Sequence, residues 1–169
     1  MNKEGHVLNA ALLSIGLGVV LVWPTTPGVD TALETVEMIA RLSVPVVLGA
    51  LFPDVDTAFG KHRKTLHNLF VLGIVAGYPI VFDNLQFVWI GIATHYLLDL
   101  VGSRRGLALL YPLTSQEWGL PFGVTTSSDY ANAATVVVTG LELAALGAFH
   151  VYVMPLDSTA GTMSAVFLG

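Results

Sequence analysis

Seven side chains with metal-ligand chemistry fall in four short stretches of the 169-residue chain. His6 stands near the start. Asp54 and Asp56 lie in the string Leu51-Phe52-Pro53-Asp54-Val55-Asp56, His62 and His67 flank a basic stretch, and His95 precedes Asp99 by four positions. Spacing of that last kind puts both groups on one helix face, where they can share a cation or a proton. Imidazole and carboxylate without sulfur suit Zn first, with Mn or Fe as alternatives. The chain has no cysteine, which excludes thiolate ligands and disulfides. Seven donors exceed the three or four that one catalytic Zn takes. They could furnish two ions about 3.5–4 Å apart, an arrangement that clamps the attacking and leaving oxygens of a phosphoester. In that reading a metal-acidified water attacks, Asp54 or Asp56 accepts its proton, and Arg63 holds the anionic group.

Each group also has a plain structural reading. His6 alone reads as an interfacial histidine, and Asp54-x-Asp56 after a proline as a turn or an N-cap. His62 and His67, among Lys61, Arg63 and Lys64, read as a solvated basic loop facing anionic headgroups. His95 and Asp99 differ because they interrupt an apolar run. An Asp inside a span costs about 2.5–3.5 kcal/mol on insertion scales and usually marks function.

The elements that must position these groups are membrane helices. Hydrophobic residues make up 54% of the chain and charged ones 11%, against about 25% charged in soluble domains. Mean hydropathy is +0.72. The net charge of −5 leaves no dense basic face for nucleic acid. A span needs about 20 mostly apolar residues, with about 17 as the lower limit. Stretches 7–23, 33–52, 66–82, 84–101 and 132–154 qualify, which predicts an all-α, polytopic bundle of five transmembrane helices in a single membrane domain over 1–169. The third and fourth form a hairpin at Asp83-Asn84, and Ser127, Ser128 and Asp129 are N-cap types ahead of the fifth. The first reads as a retained anchor, since no small-residue cleavage site follows it.

Lys and Arg favour the cytoplasmic side. Lys3, the cluster Lys61, Arg63 and Lys64, and the pair Arg104 and Arg105 all fall on one side of the five-span arrangement. Only Arg41 departs, within reach of Glu37 one turn earlier. The N-terminus is thus expected inside, in a plasma or inner membrane. Although basic residues alone set this topology, it gathers all seven candidate ligands at one membrane face. Segment 106–124, broken by Pro112, Gly119, Pro121 and Gly123, reads as an interfacial or re-entrant piece on that side, with Tyr111 and Trp118 at headgroup depth. Thr114-x-x-Glu117 within it has the spacing of a capping box, and Gln116 and Glu117 could reach back to the metal site, though nothing in the spacing forces this. Glu142 and His150 are the polar interruptions of the fifth span.

Taken in order, these residues resemble the YdjM-like family of inner-membrane-associated metal-dependent hydrolases. The resemblance runs from His6 to about Gly123. It comprises the early histidine, Pro53-Asp54-Val55-Asp56, His62-Arg63 with His67, His95-x-x-x-Asp99, and Gly106–Leu113, which is similar to the family's Gly-x-x-Leu-Leu-x-Pro-Leu stretch. Thr65-Leu66-His67-Asn68 departs from the family's usual Thr-His-Ser, with Asn68 where a serine stands. The His-x-x-x-Asp element also looks like that of zinc-dependent phospholipases C. The resemblance implies a metal-dependent hydrolase.

Three functions fit these readings. One is a hydrolase that uses one or two divalent ions on a phosphoester of a lipid or amphiphile drawn from the membrane. Its ligands would be His6, Asp54, Asp56, His62, His67, His95 and Asp99. Asp56 would serve alternatively as base, and Arg63 as anion clamp. The second is a carrier of metal ions or protons through the same cluster, for which polar groups deeper in the membrane are few and repeats absent. The third is a structural protein whose polar cluster locks helices together.

Overall fold

The computed structural model describes residues 2–22, 26–121, 123–125 and 128–152. Among them are five α-helices and no strand: α1 (Lys3–Val22), α2 (Val29–Leu51), α3 (Leu69–Phe82), α4 (Val88–Gly102) and α5 (Ala131–Tyr152), with a 3-10 turn at Pro53–Ala58 between α2 and α3. Ends of the helices follow local chemistry more than hydrophobicity. The Asn2 side chain accepts the amide of Gly5 at 2.9 Å, so α1 begins before the apolar run does. Proline at position 53 follows the last turn of α2 and opens the 3-10 turn. Asn68 accepts the amide of Val71 at 3.0 Å and fixes the start of α3, three residues later than hydrophobicity suggests. Asp83, in the left-handed region at φ 49, ends it. Ser128 accepts the amide of Tyr130 at 3.2 Å just ahead of α5. Trp23-Pro24, Ser127 and the chain after Tyr152 lie outside the described residues.

Helices α1, α2 and α5 are long and apolar enough to cross a membrane, α2 together with its 3-10 turn. The five-span expectation meets a length limit at the other two. α3 has 14 residues and α4 has 15, about 21 and 22 Å at the α-helical rise, against a hydrocarbon thickness of about 30 Å. Capping by Asn68 and the turn around Asp83 shorten both.

α1 and α2 share the main apolar core, with Ala10, Leu13, Leu17 and Leu21 against Met38, Leu42, Val46 and Ala50. α5 packs on α1, and α4 crosses α2. At that crossing Gly49 and Gly91 bring the two backbones together. A Cβ on Gly91 would run into the carbonyl of Val46, and one on Gly49 into the carbonyl of Val88. Small residues that permit such approach are the usual adhesive of helices in lipid, where apolar burial alone gives no preference for protein over lipid. Arg41 bonds Glu37 at 2.7 Å on the exposed face of α2, as the spacing predicts.

Segment 106–124 folds back without a helix of its own. It is pinned by single bridges, Leu107 to Trp118 and Ser103 to Val124. Thr114 caps no helix here; its hydroxyl accepts the amide of Gln116 at 3.2 Å. The prolines and glycines that follow explain why.

Candidate metal centre

The ends of four elements converge. His6 lies in the first turns of α1, Asp54 and Asp56 in the 3-10 turn after α2, His67 just before the cap of α3, and His95 and Asp99 in the second half of α4. All are buried except Asp54, which is partly exposed. The 3-10 turn can lie here because the glycine crossing holds the end of α2 against α4.

Each imidazole is oriented from behind. His95 Nδ1 lies 2.6 Å from the carbonyl of Ala50, one of the last carbonyls of α2, which lack helical partners. A carbonyl only accepts, so Nδ1 carries a proton, and in the neutral imidazole Nε2 is then bare. The Asp56 carboxylate meets His67 Nδ1 and His62 Nδ1, each at 3.0 Å, and takes the amide of Leu66 at 3.3 Å. In the neutral ring His67 Nε2 is bare as well. The two Nε2 atoms face each other at 3.1 Å. Lone pairs at that separation repel unless a cation or a proton lies between them.

Around this pair the remaining donors form two groups, His6 with His95 and Asp99, and Asp54 with His62 and His67, the atoms of each lying within 4.8 Å of one another. His67 Nε2 and His95 Nε2 stand 3.7 and 3.8 Å from Asp54 Oδ1. Asp99 stands 3.9 Å from His95 Nε2 and 3.5 Å from His6 Nε2. Ligands at the bond lengths of tetrahedral zinc stand about 3.3–3.4 Å apart. The observed separations bracket that value, so the donor set fits a divalent ion. His6 adds an independent sign. It is fully buried, its ring stacks on His95 at 3.7 Å, its Nδ1 has no hydrogen-bond partner among the described residues, and its Nε2 meets only Asp99, at 3.5 Å. Buried polar atoms are rarely left so without an ion, a water or a function.

Six of the expected ligands, His6, Asp54, His62, His67, His95 and Asp99, thus come together in space. Asp56 sits behind them: both its oxygens are engaged by His62 and His67, and it is fully buried. Arg63, expected as an anion clamp, is engaged within the chain. Arg63 is buried, and its Nη1 donates to the carbonyl of Arg105 at 2.8 Å and contacts Ser103 and the carbonyl of Gly106 at 3.4 Å. Its Nη2 faces Asp99 at 3.4 Å. A left-handed backbone at φ 66 turns the side chain inward, where these carbonyls take it. Glu117 likewise pairs with Lys64 at 3.2 Å and stays away from the histidines.

Several contributors carry no sequence signal of their own. The Tyr96 ring stacks on His67 at 6.0 Å, and its hydroxyl reaches the carbonyl of Leu66. Asn68 stands where a serine is usual in the resemblance noted above and caps α3 through its amide. Deeper in the bundle Asn9 Nδ2 donates to Thr139 at 2.8 Å and to Glu142 at 2.9 Å, and Thr94 bonds Asn9 and Glu142 at 2.6 and 2.7 Å. This polar layer lies one turn from His6 and beside His95.

Fold and site together define an all-helical membrane protein with a buried, sulfur-free His/Asp cluster at one end of its helices. Sequence comparison agrees with that class. The chain belongs to the YdjM inner membrane protein family, whose pattern matches residues 1–165. No curated protein and no solved structure matches it.

Proposed function

We propose that the protein is a five-span, membrane-bound, metal-dependent hydrolase that cleaves a phosphoester of a lipid or amphiphile at the cytoplasmic face. The observation that carries this reading is the pair of Nε2 atoms of His67 and His95, turned toward each other 3.1 Å apart, with both Nδ1 atoms already committed. His6, Asp54, His62, His67, His95 and Asp99 serve as ligands, for one or two ions, Zn ahead of Mn or Fe. Bound there, a divalent ion supplies Lewis acidity and a water acidified to about neutral pKa. The chain's residues do the rest. Asp56 fixes the tautomer and aim of His62 and His67, as carboxylates behind metal-binding histidines do. Arg63 holds Asp99 and the 103–106 backbone in place. Partly exposed Asp54 is the carboxylate best situated to take a proton from a water on the open side. His62, with its side chain 38% exposed, marks the open rim of the site.

A carrier of metal ions or protons is the second reading, favoured by the polar layer of Asn9, Thr94, Thr139 and Glu142. Beyond that layer the core is mostly Leu13, Leu17, Leu21 and Leu42, with Ser14 and His150 as the further buried polar groups. The test is hydrolysis by the purified protein in bilayer nanodiscs of phosphomonoester, phosphodiester and phospholipid substrates. Turnover abolished by chelation, restored by Zn, Mn or Fe, and absent in His95→Ala supports the reading. Metal-loaded protein that turns over none of them, yet moves metal ions or protons across liposomes, replaces it with the carrier.

A further inference from the structure

The polar layer joining α1, α4 and α5 calls for one more proton than an ionised Glu142 leaves it. Each of its hydrogens can be placed. The Asn9 amide brings two, which go to Thr139 Oγ1 at 2.8 Å and to Glu142 Oε2 at 2.9 Å. The Thr139 hydroxyl donates its own to the carbonyl of Thr135 at 2.9 Å. The Thr94 hydroxyl brings one, yet it meets two oxygens, Asn9 Oδ1 at 2.6 Å and Glu142 Oε1 at 2.7 Å. A hydroxyl has a single hydrogen, and an amide oxygen and a carboxylate only accept. One of the two contacts then sets lone pair against lone pair. Turning the Asn9 amide end for end moves the conflict without removing it. Thr94 would take a hydrogen from Asn9 and donate its own to Glu142, but the amide oxygen would then face Glu142 Oε2.

A proton on Glu142 Oε1 satisfies every atom. Glu142 donates to Thr94, Thr94 donates to Asn9 Oδ1, and Asn9 Nδ2 donates back to Glu142 Oε2, which closes a ring. A metal ion does not fit in its place. Octahedral ligands at the Mg–O distance stand about 2.9 Å apart, wider than either Thr94 contact. Burial agrees, because an ionised carboxylate inside a span is costly without a partner. Glu142 is 8% exposed, its bonds are those two, and no cation pairs with it among the described residues. We infer that Asn9, Thr94 and Glu142 form a proton-binding site within the bundle, in which Glu142 is a carboxylic acid whose proton latches α5 to α4 and α1. Loss of that proton restores the repelling contact and adds a buried charge, so the latch loosens as pH rises. The other buried ionisable groups on the three helices are His6 on α1, His95 and Asp99 on α4, and His150 on α5. The site uses none of the proposed metal ligands and does not rest on the hydrolase reading.

Infrared spectroscopy in nanodiscs, with the glutamate carboxyls isotope-labelled, reads the acid directly. The expected result at neutral pH is a carboxylic-acid C=O stretch that moves with the label and is lost in Glu142→Gln. Glutamine has the hydrogen-bonding pattern of the neutral acid, its NH₂ donating to Thr94 and its oxygen accepting from Asn9. The variant is therefore expected to unfold at the parent's midpoint at neutral pH. Thr94→Val keeps the acid and removes its acceptor, and is expected to raise the stretch frequency if Glu142→Gln fails to fold. Raising the pH until the band is gone should lower the parent's midpoint below that of Glu142→Gln. A carboxylate stretch lost in Glu142→Gln in place of the acid's overturns the inference, as does an acid stretch unmoved in Thr94→Val. An acid band that disappears with no fall in the midpoint overturns the latch. Each spectrum is read with and without metal, so failure here leaves the hydrolase reading standing, and absence of metal leaves the proton site standing.

Discussion

His67 and His95, 28 positions apart, point their Nε2 atoms at each other at 3.1 Å because Asp56 and the carbonyl of Ala50 hold their Nδ1 atoms from behind. Two different elements do the holding, a 3-10 turn and a helix C-terminus. The arrangement is therefore set by the backbone as much as by the ligands, and it gives each supporting residue a measurable consequence.

Asp56→Asn keeps the size of the side chain but removes an acceptor that both His62 and His67 need. Metal affinity is expected to fall about 10–100-fold, as it does when such supporting carboxylates are lost. Titration of stripped protein with Zn checks this. Unchanged affinity would mean that Asp56 supports the fold alone.

Arg63 is expected to act on stability. Removing one partner of a buried charge pair costs about 3–5 kcal/mol. Arg63→Ala should therefore lower the unfolding midpoint with or without metal, and Arg63→Lys should recover part of the loss. A variant of normal stability with weakened binding of inorganic phosphate would restore the anion-clamp role.

Much of this site was legible because its chemistry is local in sequence. The His95 and Asp99 pair on one helix face, the acidic pair after Pro53, and the bracketing histidines each declare themselves, and the basic residues gather them at one face. The helix bodies were equally legible, since hydropathy marks them. Their ends were not. Asn2 and Asn68 move two starts through side-chain hydrogen bonds, and a window average does not register one capping residue. Asp56 and Arg63 could not be assigned from spacing, because a ligand and the residue behind it have the same composition; only contacts separate them. The Asn9–Thr94–Glu142 layer joins residues 85 and 133 positions apart, a relation that no local pattern carries.

Gly91→Ala tests the crossing that sets the end of α2 against α4. Overpacking of this kind costs about 1–3 kcal/mol. The expected outcome is a lower unfolding midpoint together with weaker metal binding, since the 3-10 turn carrying Asp54 moves with α2. A destabilised variant with full metal affinity would uncouple the crossing from the site.

Asn9→Leu removes three hydrogen bonds of the polar layer and leaves every proposed ligand in place. Hydrogen bonds between membrane helices average about 0.6 kcal/mol, so a loss of about 1–2 kcal/mol is expected, with metal content retained. Loss of the metal at unchanged stability would extend the site into this layer.

The central claim is that the His/Asp cluster holds a divalent ion, and bound metal per chain tests it most directly. Protein purified in detergent is analysed for its elements beside a His95→Ala/Asp99→Ala variant of the same fold by circular dichroism. One or two transition-metal ions per chain, lost in the variant, is the predicted result. Metal-free protein that takes up no Zn, Mn or Fe when these are supplied would contradict the account and leave a proton shared between His67 and His95 as the basis of their contact.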